Sequence, residues 1–377
     1  MKKLCAIVAM LVSASAAQAA APTLKTKLSA EGVFNSHPLM SRQNAQDLWG
    51  NKTSLRLGLD QNLPTTAYDI AGWVDNNLYN RGRFNSVDFG GEANLQSHTQ
   101  RLETALALKG SYDTTLTREI SDVGVMADKA VRRTIFEGAP KISYAVSQRG
   151  VLGLEGSARL ARYKGDTFTD YHTLSASPSY AYSFTERFTG LLGGQYRRYE
   201  ADSGIDHTVD SAGPFVGFIS NLTERLKLQA RYGHEASRHK VAGVTGDWDW
   251  NYVYAADLTY KSELSELTLG GMRAQQSYAS GRDALLTTIY GQARYKFDPY
   301  ITLQGTLRYQ FANSDSPVWN DIDRVYTGRA GLFYHLTKTL DLTAAYSYRN
   351  EKIEGVSKAA QRHEALFGLA WNPEIAL

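Results

Sequence analysis

The segment TERLKLQARYGHE, residues 223–235, alternates almost without error. Leu226, Leu228, Ala230 and Tyr232 share one parity, and Arg225, Lys227, Gln229 and Arg231 share the other. Side chains of a strand point alternately to its two faces, so the segment predicts a strand with one apolar and one cationic face. The design recurs in TERFTGLLGGQYRRYE from Thr185, DPYITLQGTLRYQF from Asp298 and TKTLDLTAAYSYRNE from Thr337. A unit repeating at this interval reads as a hairpin. YVYAADLTYK sets Tyr252, Tyr254, Ala256, Leu258 and Tyr260 against Asp257 and Thr259. VYTGRAGLFYHL sets Tyr326, Ala330, Leu332 and Tyr334 against Thr327 and Arg329. Parity lapses within 209–219 and 264–277, which suggests bulges. Pro140 and Pro178 sit awkwardly inside strands because proline removes a ladder donor.

Short polar turns punctuate the chain at QNLPTT, SHTQR, SQRG, FTER, NLTER, KSELSE, KFDPY and HLTKT. Between them lie longer connections at 36–51, 79–86, 113–131, 163–169, 200–207, 236–248, 277–284, 311–321 and 350–360. Short connections alternating with long ones are the mark of periplasmic turns and extracellular loops in a membrane barrel. The expected fold is all-β: a transmembrane antiparallel up-and-down barrel of about eighteen strands, sixteen being the runner-up, with both termini periplasmic. Tyrosines at strand ends, such as Tyr295, Tyr309, Tyr346 and Tyr348, suit an interfacial girdle. A soluble sandwich or solenoid would alternate in the same way. It would need a further apolar layer, which this chain does not supply.

Composition agrees. The chain has 23 Tyr, 32 Gly and 9 Pro, and no apolar run long enough for a membrane helix. It opens with MKKLCAIVAMLVSASAAQAA, where two lysines, an apolar run and Ala17-Gln18-Ala19 read as a cleaved secretory signal over 1–19. Residues 20–377 then form one barrel domain in a bacterial outer membrane. Cleavage removes the single cysteine, Cys5, and with Lys2 and Lys3 lowers the formal charge from +3 to +1. That balance argues against nucleic acid as a partner. The partners expected are outer-membrane lipid and lipopolysaccharide, with a polysaccharide or small solutes as cargo.

Three stretches carry a resemblance: LSAEGVFNSHPLM, RRTIFEGAPKISYAVSQRGVLGLEGSARLARY and SYAYSFTERFTGLLGGQYRRYE. They resemble the β-barrel porins associated with exopolysaccharide production. The resemblance implies an outer-membrane conduit for the polymer, working with periplasmic export machinery. A general or sugar-selective diffusion porin is the first alternative, and a non-conducting structural or enzymatic barrel is the second. One departure is the end of the chain, where Trp371 lies six residues before Leu377 rather than at the terminus.

With apolar residues facing lipid, the polar parity lines the lumen, since Arg or Lys on the lipid side costs about 2–4 kcal/mol near the midplane. The basic lumen candidates are Arg159, Arg197, Arg225, Lys227, Arg231, Arg294, Arg308, Arg329 and Arg349. The acidic ones are Asp69, Glu92, Glu103, Glu137, Glu155 and Asp257, gathered toward the first half. A cationic wall opposite an acidic one could guide an anionic chain. Alternatively, the arginines pair with the acids and hold strands together. Trp73 and Tyr290 are lumen aromatics that could stack on sugar rings. His234 and His239 in HEASRH read as a polar loop, and Trp248 and Trp250 as an upper girdle or a sugar-stacking lip. There is no G-x-S-x-G, no H-E-x-x-H and no cysteine pair, so neither catalysis, cofactor nor metal is expected.

Overall fold

The computed structural model describes residues 21–38, 47–115, 130–166, 168–202, 206–277, 283–312, 322–353 and 359–376. The expected signal segment and most of the longest loop, 113–131, lie outside them. The first nine strands are β1 (Thr23–Ser36), β2 (Leu48–Asn62), β3 (Thr66–Tyr79), β4 (Ser86–His98), β5 (Leu102–Thr114), β6 (Arg132–Ala145), β7 (Gly150–Tyr163), β8 (Asp170–Ser183) and β9 (Phe188–Asp202). The second nine are β10 (Asp206–Asn221), β11 (Leu226–Val241), β12 (Val244–Lys261), β13 (Ser265–Ser277), β14 (Asp283–Lys296), β15 (Ile301–Ala312), β16 (Ile322–His335), β17 (Leu340–Ile353) and β18 (Ala360–Trp371). Each pairs antiparallel with the next, and β18 returns to β1 from Leu28↔Trp371 to Ser36↔His363. The result is a closed eighteen-stranded up-and-down barrel. Closure removes the edges that a sheet of this size would otherwise expose.

The chain end adds a short piece. After Asn372 and Pro373, β19 (Glu374–Ala376) continues along β1 opposite Thr23–Lys25. Trp371 therefore closes the barrel, and the residues beyond it extend the same seam.

The curvature tells the two faces apart, because side chains on the concave side converge and can bond over an intervening strand. Gln195 Nε2 on β9 donates to Glu235 Oε2 on β11 at 2.6 Å, across β10. Arg56 on β2 pairs with Glu92 on β4. The polar parity is therefore the inside. The other parity presents exposed apolar side chains such as Leu192, Leu307 and Phe367 around the circumference, which is the lipid-facing pattern.

The short turns fall at the eight expected places, and a local device builds them. Thr185 Oγ1 accepts the N–H groups of Arg187 and Phe188, and Thr223 Oγ1 accepts those of Arg225 and Leu226. Thr337 and the Asp298 carboxylate do the same two and three residues on. Such side-chain turns explain why Thr, Ser or Asp stands three residues before seven of the eight strands that follow short turns, β3 being the exception.

Three expectations need correction. Residues 236–248 are not a loop: β11 and β12 run on to a two-residue tip at Ala242 and Gly243, whose φ angles are 51° and 81°. Positive φ at both central residues matches the right-handed twist of the flanking strands. Residues 209–219 and 264–277 keep parity throughout, and the register irregularities instead lie at Arg238/Lys240 and Ile322/Arg324. Pro140 and Pro178 do lie inside strands, but each breaks the ladder on one side only. Pro140 still pairs with Leu106, while the β7 ladder skips from Gly138↔Ala158 to Lys141↔Glu155. Beside Pro178, Ser177 Oγ donates to the Gly194 carbonyl at 3.1 Å, an acceptor left over in the gap.

Candidate functional site

The inner wall is the candidate site, and the barrel's alternation places nearly all the expected residues on it. Asp69, Trp73, Glu92, Glu103, Glu137, Glu155, Arg159, Arg197, Lys227, Arg231, Asp257, Tyr290, Arg294, Arg308, Arg329 and Arg349 all have inward parity. Arg225 does not line the wall. It occupies the turn between β10 and β11, where its carbonyl accepts the Lys261 N–H at 2.8 Å and its side chain is exposed at the rim.

Ion pairing divides the charged residues into two groups. In the first half of the chain the acids have cations beside them: Glu137 with Arg159 at 3.5 Å, Glu155 with Lys141 at 2.9 Å, and Glu92 with Arg56. Among the described residues, Asp69, Glu103 and Asp257 of the acidic candidates lack such a partner. Half of the expected acidic wall is thus neutralised by its own neighbours. Arg349 also pairs, with Glu351 at 3.0 Å, and both are almost fully buried. Arg197 lies with its guanidinium 5.9 Å from the Tyr199 ring.

The second half of the wall differs. Lys227, Arg231, Arg294, Arg308 and Arg329 are exposed on the inner face of β11 and β14–β16. Among the described residues none of the five has a carboxylate within ion-pair distance. Arg308 and Arg329 are diagonal neighbours, because Arg308 stands opposite Thr327 and Arg329 opposite Thr306. Their exposed inner neighbours, Gln304 and Thr306, are neutral. Two acids lie on this face: Glu266 stands opposite Arg294 in the register without an ion pair between them, and Asp257 accepts hydrogen bonds from Tyr290 Oη and, at 3.0 Å, from Gln229 Nε2. Exposed guanidinium groups without an ion-pair partner among the described residues suit carboxylate, phosphate or sulfate.

The two aromatic candidates are occupied in different ways. Trp73 points inward but is buried, lying flat over Gly90, where an added Cβ would come within 2.8 Å of its Cε2. It offers no open ring face to a sugar. Tyr290 crosses Gly270 in the same manner to reach Asp257. The histidines correct another expectation. Both lie on β11, where His234 faces outward and bonds the Tyr232 hydroxyl at 3.1 Å. His239 faces inward, stacked on His207 with centroids 5.8 Å apart. Opposite faces cannot share a metal ion, and no group of three potential ligands occurs among the described residues. Trp248 and Trp250 face outward on the projecting part of β12, and Arg238 covers Trp248 at 4.7 Å.

Arg56 and Lys141, which neutralise the first-half acids, were not singled out from sequence. Their inward parity was readable, but their choice of partners two strands or one strand away was not.

Neither a family model nor a curated protein matches the chain. Among solved structures it is similar to OccK11 (OpdR) of Pseudomonas aeruginosa, at 12% identity and a TM-score of 0.48, covering 94% of this chain and 96% of that one. It is also similar to the outer membrane protein OpdK of the same organism, at 13% identity and a TM-score of 0.48, covering 93% and 99%. A third is a BenF-like porin from Pseudomonas fluorescens Pf-5, at 11% identity and a TM-score of 0.49, covering 94% and 99%. Likeness at this level carries nothing about what passes through this barrel.

Proposed function

We propose that the chain is an outer-membrane diffusion pore for small solutes, with a lumen that favours anions. One observation carries the reading: Lys227, Arg231, Arg294, Arg308 and Arg329 are exposed on the inner face with no carboxylate partner among the described residues, while the acids of the opposite half are mostly paired. Charge on a pore wall sets ion preference by raising the local concentration of the opposite sign. Apolar side chains around the outside and polar ones within support placement in a membrane. Polymer export rests on the sequence resemblance alone, and among the described residues no feature of the wall favours a long chain over a small solute.

The test is reversal potential in planar bilayers under a salt gradient. The wild-type pore is expected to prefer anions, and the combined R294Q, R308Q and R329Q variant to lose most of that preference while still conducting. An unchanged preference in the triple variant would show that the wall is structural.

A further inference from the structure

The outward face carries a cation that the pore does not use. Arg273 on β13 shares parity with the lipid-facing Leu267 and Leu269, whereas the lumen arginines lie on the other parity. It is the ninth residue of its strand. At about 3.3 Å per residue and a tilt near 40°, it stands roughly 20 Å above the short-turn rim, near the far border of a lipid band about 25 Å tall. Among the described strand residues it is the outward-facing Lys or Arg closest to the short turns. Arg162, Arg198, Arg238, Arg324 and Lys352 all lie further from the short turns than Arg273 does.

Its surroundings mark an interface. The guanidinium sits 4.4 Å from the centroid of the Tyr252 ring, and Nη1 donates to the Tyr252 hydroxyl at 3.3 Å. Tyrosine hydroxyls also meet outward histidines around the barrel, Tyr232 with His234 and Tyr346 with His363 at 2.7 Å. Such a belt of rings with polar tips belongs at the headgroup level. Among the described residues Tyr252 Oη is the only hydrogen-bond acceptor of Arg273, and its shielded Nε has none. The pair also stands at a parting in the wall. The β12–β13 ladder ends at Tyr254↔Arg273, while β12 continues to Val244. A part-buried guanidinium held against a ring, with unused donors and no carboxylate partner among the described residues, is complementary to a phosphate.

We propose that Arg273, positioned by Tyr252, seats a phosphate of a phosphorylated glycolipid in the membrane leaflet on the long-loop side. The proposal rests on the outer-membrane reading above. The ring contact and the Nη1 hydrogen bond hold the guanidinium, and Nη2 has no acceptor among the described residues. The parting of β12 from β13 leaves room beside it for a sugar-linked phosphate. Lysine could supply the charge but not the planar fork.

The test uses the full chain in detergent, titrated with diphosphorylated lipid A, with the same lipid stripped of phosphate, and with inorganic phosphate, and read by native mass spectrometry. Wild type is expected to hold one more copy of the diphosphorylated lipid than R273Q, with affinity at least about tenfold higher, the loss of one charge-assisted hydrogen bond. R273K should recover part of it, and the phosphate-free lipid should bind all three proteins alike. Equal binding of the diphosphorylated lipid by wild type and R273Q, both folded by heat-modifiable gel mobility, would overturn the proposal. So would inorganic phosphate binding as tightly as the lipid, which would make this a free-phosphate site. If wild type inserts and conducts while lipid binding ignores Arg273, the pore reading stands and the lipid seat falls. If the folded protein does not insert at all, both fall.

Discussion

The Tyr290 hydroxyl donates to the Asp257 carboxylate across the bare backbone of Gly270, so that three neighbouring strands are tied on the inner wall by one bond. A Cβ at Gly270 would lie within 2.7 Å of that hydroxyl. Gly270→Val should therefore push the ring away and break the tie, at a cost of about 1–3 kcal/mol. Gly271→Val is the control, since its Cβ would meet only the Thr288 carbonyl at 3.7 Å. Thermal unfolding followed by gel mobility should separate the two variants. Equal midpoints would mean that the Tyr290 crossing contributes nothing.

Paired and unpaired lumen arginines should respond differently to the same change. Arg349→Gln strands the buried Glu351 carboxylate and should cost about 3–5 kcal/mol. Arg329→Gln leaves no such orphan and should change stability by no more than about 0.5 kcal/mol. Denaturant unfolding of both variants, alongside their ion selectivity, checks the division. Loss of stability in R329Q comparable to that in R349Q would contradict it.

The turn device makes a local prediction. Thr223→Ala removes the acceptor for the Arg225 and Leu226 N–H groups and should cost about 1 kcal/mol. Thr223→Ser should restore most of it, because only the hydroxyl is used. The midpoint of guanidinium unfolding is the measurement.

At the tip of β11 and β12, Ala242 carries a φ of 51°, a conformation strained for a residue with a Cβ. Ala242→Asn or Ala242→Gly should resist proteolysis at the tip better than wild type, and Gly243→Val, where φ is 81°, should be cut faster. Identical cleavage rates in all four proteins would argue against this turn.

Strand parity, the eight short turns and the number eighteen were determined by the sequence itself. These depend on interactions within a few residues: alternation along one strand, and a hydroxyl or carboxylate bonding two and three positions on. Even the sides of His234 and His239 follow from their odd spacing, once the polar run 236–248 is recognised as strand. Arg273 shows the limit, for its charge on the lipid parity made 264–277 look irregular when the strand is regular.

Only the tertiary structure decided which charges are neutralised. Arg159 meets Glu137 through the register of β6 and β7, and Arg56 reaches Glu92 over β3 because the wall curves inward. Arg308 and Arg329 meet no acid among the described residues, since Gln304, Thr306 and Thr327 occupy the positions around them. The placement of Arg225 in a turn rather than on the wall likewise depends on where the β10–β11 ladder stops. Register, closure and curvature relate residues distant in the chain, and alternation along a single strand holds no information about them.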